Sequence, residues 1–332
     1  MGPFGIAGIV IGSVVLLVLI IEEVAIELVM HQMFNHRGDG CLRFNYPMPS
    51  DFENLNKKKF YIKSRKNTLI GFEYKDKNIT NYKGIILFSH GIGAGQEYLL
   101  GLINEFCLDG YIVVAYDHSG SMRSTGPRIR DLSQCLGDAE RVYKWFEKQE
   151  EYKQYDLFVA GHSWGAFTAI NLLNIRKNRI KKCVAIAGFN SHIDMALGQN
   201  KTFKLMTPGL ILYDLIHHGK YAFWNSSKAL RHTKAEVLCL HGGIDVVVPL
   251  KDSYDKYLKI SKKHPNVHVN YYDGKGHNPY LTIESEQIQG EMSQGLGMLG
   301  QGEPAYDLYN DYKKTYLMDN NVTQDMLDFL NK

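Results

Sequence analysis

Three residues in this chain have the types and the order needed for acyl-transfer chemistry. In VAGHSWGAF, residues 159–167, Ser163 stands between Gly161 and Gly165. This is the G-x-S-x-G spacing, in which a tight strand-to-helix turn holds a serine hydroxyl clear of the backbone and leaves no room for side chains at the outer positions. A serine hydroxyl is a weak nucleophile at neutral pH, so it needs a base, and the base needs a partner to orient it. Asp245, in LCLHGGIDVVVP, and His277, in YYDGKGHNP, supply these in the order serine, acid, histidine, each in a loop just after an apolar run. Asp273 is the nearest rival acid, but it shares the histidine's own loop and reads as a turn residue. The chemistry such a set performs is attack on a carbonyl, a serine-bound acyl intermediate, and transfer of the acyl group to water.

That reaction also needs donors for the oxyanion of the tetrahedral intermediate. FSHGIGAGQEY follows the apolar run GIILF, and its glycines allow backbone N–H groups to face a cleft. The expected donors are the amides of Ile92 and of Trp164, the residue after the nucleophile. HGIGAG could also be read as a phosphate loop, but no G-K-[ST] follows it, which argues against a nucleotide site.

The elements that would position these groups follow from periodicity. FYIKS, TLIGFEY, GIILFSH, YIVVAYD, DLFVAGH, CVAIAG, EVLCLHG and VHVNYYD read as strands. EYLLGLINEFCLD, LSQCLGDAERVYKWFEKQ, AFTAINLLNIRK and SYDKYLKISKK carry apolar residues at helical spacing. Strand and helix alternate strictly, which predicts an α/β fold with a mostly parallel sheet covered on both faces. VAGHSWGAF falls where one of these strands meets a helix, the context its spacing requires. Residues about 189–230 are long, apolar and aromatic and read as a helical cap over the sheet. Residues about 281–304, rich in Gly, Gln, Glu and Met, read as a mobile loop, with a final helix from about Tyr306.

HGIGAG, GHSWGA, HGGIDVVVP and GKGHNP, in this order and spacing, resemble the α/β-hydrolase superfamily. Within it they are most similar to the branch holding monoacylglycerol lipases, lysophospholipases and serine aminopeptidases. The resemblance covers about residues 58–332. It implies an eight-stranded, mostly parallel sheet, a cap inserted after the sixth strand, no cofactor or metal, and a catalytic triad that falls on Ser163, Asp245 and His277. Relatives often carry D-x-R-G-x-G-x-S after the fourth strand. Here YDHSGSMRSTG has Ser119 in place of the arginine and Arg123 further on, so the loop around Asp117 is expected to differ in shape.

The chain has 332 residues, 45% of them hydrophobic, and a formal net charge of +3. It has no basic run of the kind nucleic acid requires, so no nucleic-acid partner is expected. The first segment stands apart, since Pro3 to Ile21 carries no charge and, at 1.5 Å per residue, just spans a hydrocarbon core of about 30 Å. No Lys or Arg precedes it, and Glu22 and Glu23 occupy the place of a small-residue cleavage site. It therefore reads as an uncleaved single-pass anchor rather than a signal peptide. Positive charge lies only on its C-terminal side (Arg37, Arg43, Lys57 to Lys59), which puts the body of the protein in the cytoplasm. Gly8 and Gly12 form a G-x-x-x-G capable of weak dimerisation. EEVAIELVMHQMF extends the helix and is expected to lie at the membrane surface. The organisation read from these features is an anchor at 1–34, a polar linker at 35–57 and a catalytic domain at 58–332. Cys41, Cys107, Cys135, Cys183 and Cys239, odd in number and without a C-x-x-C pair, read as core thiols.

The expected function is hydrolysis of carboxylic esters, with lipid or fatty-acyl esters favoured by the anchor and the apolar cap. A serine aminopeptidase is the alternative within enzymes; it would need an acid for the substrate ammonium, with Asp194, Asp214 and Glu97 as candidates. A membrane-tethered binding module without catalysis is the alternative of another class.

Overall fold

A computed structural model describes residues 2–40, 45–199, 204, 206–298 and 312–332. The core of the fold is an eight-stranded sheet in the order β1-β2-β4-β3-β5-β6-β7-β8. Its strands are β1 (Leu55–Ser64), β2 (Asn67–Asp76), β3 (Gly84–Ser89), β4 (Tyr111–Tyr116), β5 (Leu157–His162), β6 (Ile180–Ile186), β7 (Glu236–Gly242) and β8 (Val267–Tyr272). β2 pairs antiparallel with both β1 and β4, and every pairing from β4 to β8 is parallel. The central strands are continuous apolar runs because both of their faces are covered. Along β3, Ile85 and Leu87 join one core cluster while Ile86 and Phe88 join the other, the alternation that a strand imposes.

On the first face lie α3 (Gln134–Phe146), α4 (Trp164–Leu172) and α8 (Tyr254–Ser261); on the second lie α2 (Leu100–Leu108) and α10 (Asn320–Asn331). The cap enters between β6 and β7 as α5 (His192–Gln199) and α6 (Thr207–His218), after which α7 (Ser226–His232) returns to the first face beside α4 and α8. Cys107, Cys135, Cys183 and Cys239 are buried free thiols, and Cys41 lies outside the described residues. The order β4-β3-β5 places the topological switch at the carboxyl ends of β3 and β5, where open α/β sheets hold their ligands.

Three expectations change, and one contact is new. The first helix, α1 (Pro3–Phe34), is unbroken over 32 residues, as the extension through EEVAIELVMHQMF required, and its second half docks on the cap, a contact that the sequence reading did not foresee. Ile26 is buried against Leu210 and Tyr213 of α6, and Phe34 is buried with Trp164, Phe167 and Phe189. The stretch 35–57 is not a free linker where it is described. Gly38 bridges to Ser121, Arg37 donates to the carbonyls of Met122 (2.7 Å) and Ser124 (3.1 Å), and β1 already begins at Leu55.

The expected loop at 281–304 is helical over α9 (Ile283–Met298), while 299–304 falls outside the described residues. Its buried positions, Ser285, Ile288, Gln289 and Met292, have helical spacing, but two of the four are polar and bond to the carbonyls of Lys314 and Thr315. An apolar pattern could not reveal it. The final helix begins at Asn320 rather than near Tyr306, a position outside the described residues; Asp319 caps it by accepting from the amides of Asn321 and Val322.

Candidate active site

Ser163 sits between the end of β5 and the start of α4 with φ 57° and ψ −119°, a left-handed conformation rare for a residue with a side chain. The flanking glycines make the turn feasible. A Cβ on Gly165 would stand 1.9 Å from the Ser89 carbonyl oxygen, and one on Gly161 would stand 2.3 Å from that of Gly165. Strand, elbow and helix thus interlock at backbone distance.

Asp245 and His277 come from the loops after β7 and β8, at the same edge of the sheet. His277 Nε2 lies 2.9 Å from Ser163 Oγ, and its Nδ1 lies 2.9 Å from Asp245 Oδ2. The other Asp245 oxygen accepts from the amides of Val247 (2.8 Å) and Val248 (2.9 Å). Burial pushes the Asp245 carboxyl upward, but the His277 bond and the Val248 amide outweigh it and hold the carboxyl below its ordinary value. Asp273, the rival acid, is exposed and accepts from the Gly274 amide, as a turn residue does.

His277 is held by groups that the sequence reading missed. Glu286, on α9, accepts the amides on both sides of the histidine, Gly276 (2.9 Å) and Asn278 (2.7 Å). Lys275 reaches back to the Leu281 carbonyl and to Asp319 at the cap of α10. His162, next to Ser163, meets the His277 carbonyl at 3.0 Å, and burial lowers its pKa to about 3, so it stays neutral. Nothing in the sequence singled out Glu286, which stands between Glu284 and Glu291 in the same run.

The loop after β3 is fixed from below. Asp117 accepts the amides of Gln96 (3.0 Å) and Arg123 (3.3 Å), and burial raises its carboxyl to about 7. Arg123 forms two bonds to Glu97, and Ser119, standing where relatives carry arginine, bonds to Asp138 through its amide and its hydroxyl. His90 accepts the His118 amide, and burial lowers it to about 4. Ile92 and Ser163 border the same cleft, of about 470 Å³, together with His277, Glu286 and the exposed Val246. The Trp164 side chain is buried and donates to the Leu132 carbonyl at 2.6 Å, while its amide opens the first turn of α4. That helix terminus favours developing negative charge.

The three acids considered for an ammonium are already engaged. Glu97 holds Lys57 and Arg123, Asp194 holds Lys256, and Asp214 lies 3.1 Å from His192 inside the cap. Ser133, His192 and Asp214 form a second serine, histidine and aspartate cluster, with Ser133 Oγ 3.2 Å from His192 Nδ1. It lacks the features of a nucleophile site, because Ser133 has an ordinary helical φ of −82° and, unlike Ser163, does not border the cleft.

Comparison with known proteins agrees with this architecture. A family model described as "Serine aminopeptidase, S33" matches residues 80–210. An uncharacterised protein, R595, of Acanthamoeba polyphaga mimivirus is 28% identical over 235 residues, 68% of this chain and 76% of that protein. The Pyrococcus furiosus esterase Pf2001 superposes with a TM-score of 0.56 at 20% identity, covering 77% of this chain and 96% of the esterase. Est1E of Butyrivibrio proteoclasticus, solved with ferulic acid, gives 0.54 at 16% identity over 72% of this chain and 98% of its own. The Pyrococcus horikoshii acylaminoacyl peptidase gives 0.55 at 14% identity, over 85% of this chain and 42% of its own. At these identities the solved structures show the fold, and the family match over residues 80–210 and the order of the sheet agree with an α/β-hydrolase fold.

Proposed function

We propose that this protein is a membrane-anchored serine hydrolase that cleaves carboxylic esters, with lipid or fatty-acyl esters as its substrates. The observation that carries the reading is the series Ser163 Oγ, His277 Nε2, His277 Nδ1 and Asp245 Oδ2, with both contacts at 2.9 Å, set on a left-handed elbow. His277 takes the Ser163 proton as Oγ attacks the ester carbon, Asp245 orients and stabilises the imidazolium, and the Ile92 and Trp164 amides receive the oxyanion. Collapse expels the alcohol, which takes the proton from His277. Water, deprotonated by the same histidine, then releases the acid and restores Ser163.

The preference for lipid esters is supported by apolar residues at the mouth and along the chain leading to it. Ile244, Val246 and Val247, which flank the triad acid, are exposed, and Pro3–Phe34 is a helix long and apolar enough to cross a bilayer. The body of the protein then lies on the cytoplasmic side, a reading that rests on the positive charge C-terminal to the span. A peptidase reading finds less support, because each acid that could hold a substrate ammonium is already engaged.

Ser163→Ala is expected to fold normally, lose labelling by a fluorophosphonate, and lose at least about a thousandfold in kcat on p-nitrophenyl esters. A folded alanine variant that retained turnover would exclude Ser163 as the nucleophile. A wild-type protein that neither reacted with the probe nor hydrolysed any ester would favour a non-catalytic binding module.

A further inference from the structure

A second cavity, of about 400 Å³, lies between the docked half of α1 and the cap. The α1 wall is formed by Ile26, Val29, Met30, Met33 and Phe34, which fall at i, i+3, i+4, i+7 and i+8 and so share one helical face. Leu210 and Tyr213 of α6 and Met195 of α5 stand opposite. Ile92, whose amide is a proposed oxyanion donor, borders both this cavity and the catalytic cleft.

We propose that this cavity receives the acyl chain of a lipid ester drawn from the bilayer, and that α1 is one wall of the substrate site as well as the anchor. The inference rests on the ester-hydrolase reading above. Four observations support it. The helix that would lie in hydrocarbon runs without a break into the cavity wall, so a chain leaving the bilayer along α1 passes from one apolar surface to another. Glu22, Glu23 and Glu27 interrupt the apolar sequence but face α6: Glu22 accepts the Gly209 amide, Glu27 lies 3.2 Å from His217, and none of the three lines the cavity.

The volume falls within the range of small-ligand sites, and the methionines from α1 and the cap supply flexible, polarisable walls suited to a linear chain. Most polar groups at the border are engaged by neighbouring side chains, the exception being His192 Nε2, which lies 3.1 Å from Asp214 without a hydrogen bond. Asp131 bonds to His218 and Tyr213, Asp214 accepts from Ser133, and burial lowers His192 to about 4, leaving it neutral. An apolar cavity of this kind gains little from water and binds apolar matter readily.

The test uses the full-length protein in phosphatidylcholine nanodiscs, with wild type, Met30→Trp and Leu210→Trp compared on p-nitrophenyl butyrate and palmitate. Rates are counted per fluorophosphonate-labelled site, so that misfolded protein drops out. Each tryptophan is expected to lower the palmitate-to-butyrate ratio of kcat/KM at least about tenfold and to move the preferred chain length downward. A ratio unchanged in both variants, with Ser163-dependent palmitate turnover intact, would overturn the cavity assignment and leave the hydrolase reading standing. Absence of both labelling and turnover in the wild type would overturn the hydrolase reading itself, and this assignment with it. A diazirine-bearing palmitate ester supplies a readout independent of activity. Crosslinks to the α1 peptide containing Met30 are expected in Ser163→Ala, and crosslinks confined to residues 3–21 would count against the site.

Discussion

Glu286 and His162 show how much of the site consists of residues that do not touch the reacting atoms. Glu286 accepts the amides on both sides of His277, so its carboxylate sets the position of the base. Glu286→Ala is expected to lower kcat about tenfold to a hundredfold while leaving fluorophosphonate labelling measurable, because misplacing a base slows turnover without removing the nucleophile. An unchanged kcat would show that the loop holds itself. His162 offers a test of burial. Its folded pKa is lowered to about 3 from an ordinary 6.5, so its contribution to stability is intact above 6.5 and is lost as the pH falls toward 3. Wild type therefore loses stability on acidification that His162→Gln does not, and the gap in Tm between them should narrow as the pH is lowered from about 7 to about 4. A constant gap would mean the imidazole is not held neutral. That Ser163, Asp245 and His277 meet at one edge of the sheet was legible because the topology sets the order of the loops that carry them. Glu286 was not, since a carboxylate that accepts two amides leaves no mark on the spacing around it.

At the scale of elements, the central strands were readable as continuous apolar runs because both of their faces are covered, while the half-exposed edge strands β1 and β8 showed only partial runs. The helices α2, α3 and α8 were readable because each shows the sheet an apolar stripe, and α4 because it is apolar and buried along its whole length. α9 was missed because half of its buried face is polar, with Ser285 and Gln289 satisfied by carbonyls of a segment far along the chain. The docking of α1 was hidden for the opposite reason. Its apolar residues continue from its exposed half into its docked half, and composition alone cannot show where packing against the protein begins. Ile26 marks that change, being the first residue of α1 buried by the fold. Ile26→Ala is expected to cost about 2 kcal/mol or more, read as a lowered Tm of the full-length protein, with α1 more open to proteolysis after residue 21. A Tm equal to that of wild type would show that the cap does not depend on this contact.

At the scale of the molecule, the reaction, the fold and the mouth of the cleft all gather at one edge of the sheet, and the order of strands and loops carried that much in the sequence. What it did not carry is the relation between the first helix and the rest, because a helix states its length and faces but not its partner. That relation is a stiff one. α1 has no break between its exposed and its docked half, and at about 1.5 Å per residue Phe34 lies about 20 Å beyond Ile21. In the anchored state proposed above, the cleft is held at one height over one leaflet and cannot tumble. Its search for substrate then takes place in two dimensions. Encounter is governed by lateral diffusion and by the mole fraction of ester in that leaflet, so inert lipid added to the bilayer slows the enzyme even when the total amount of ester is unchanged.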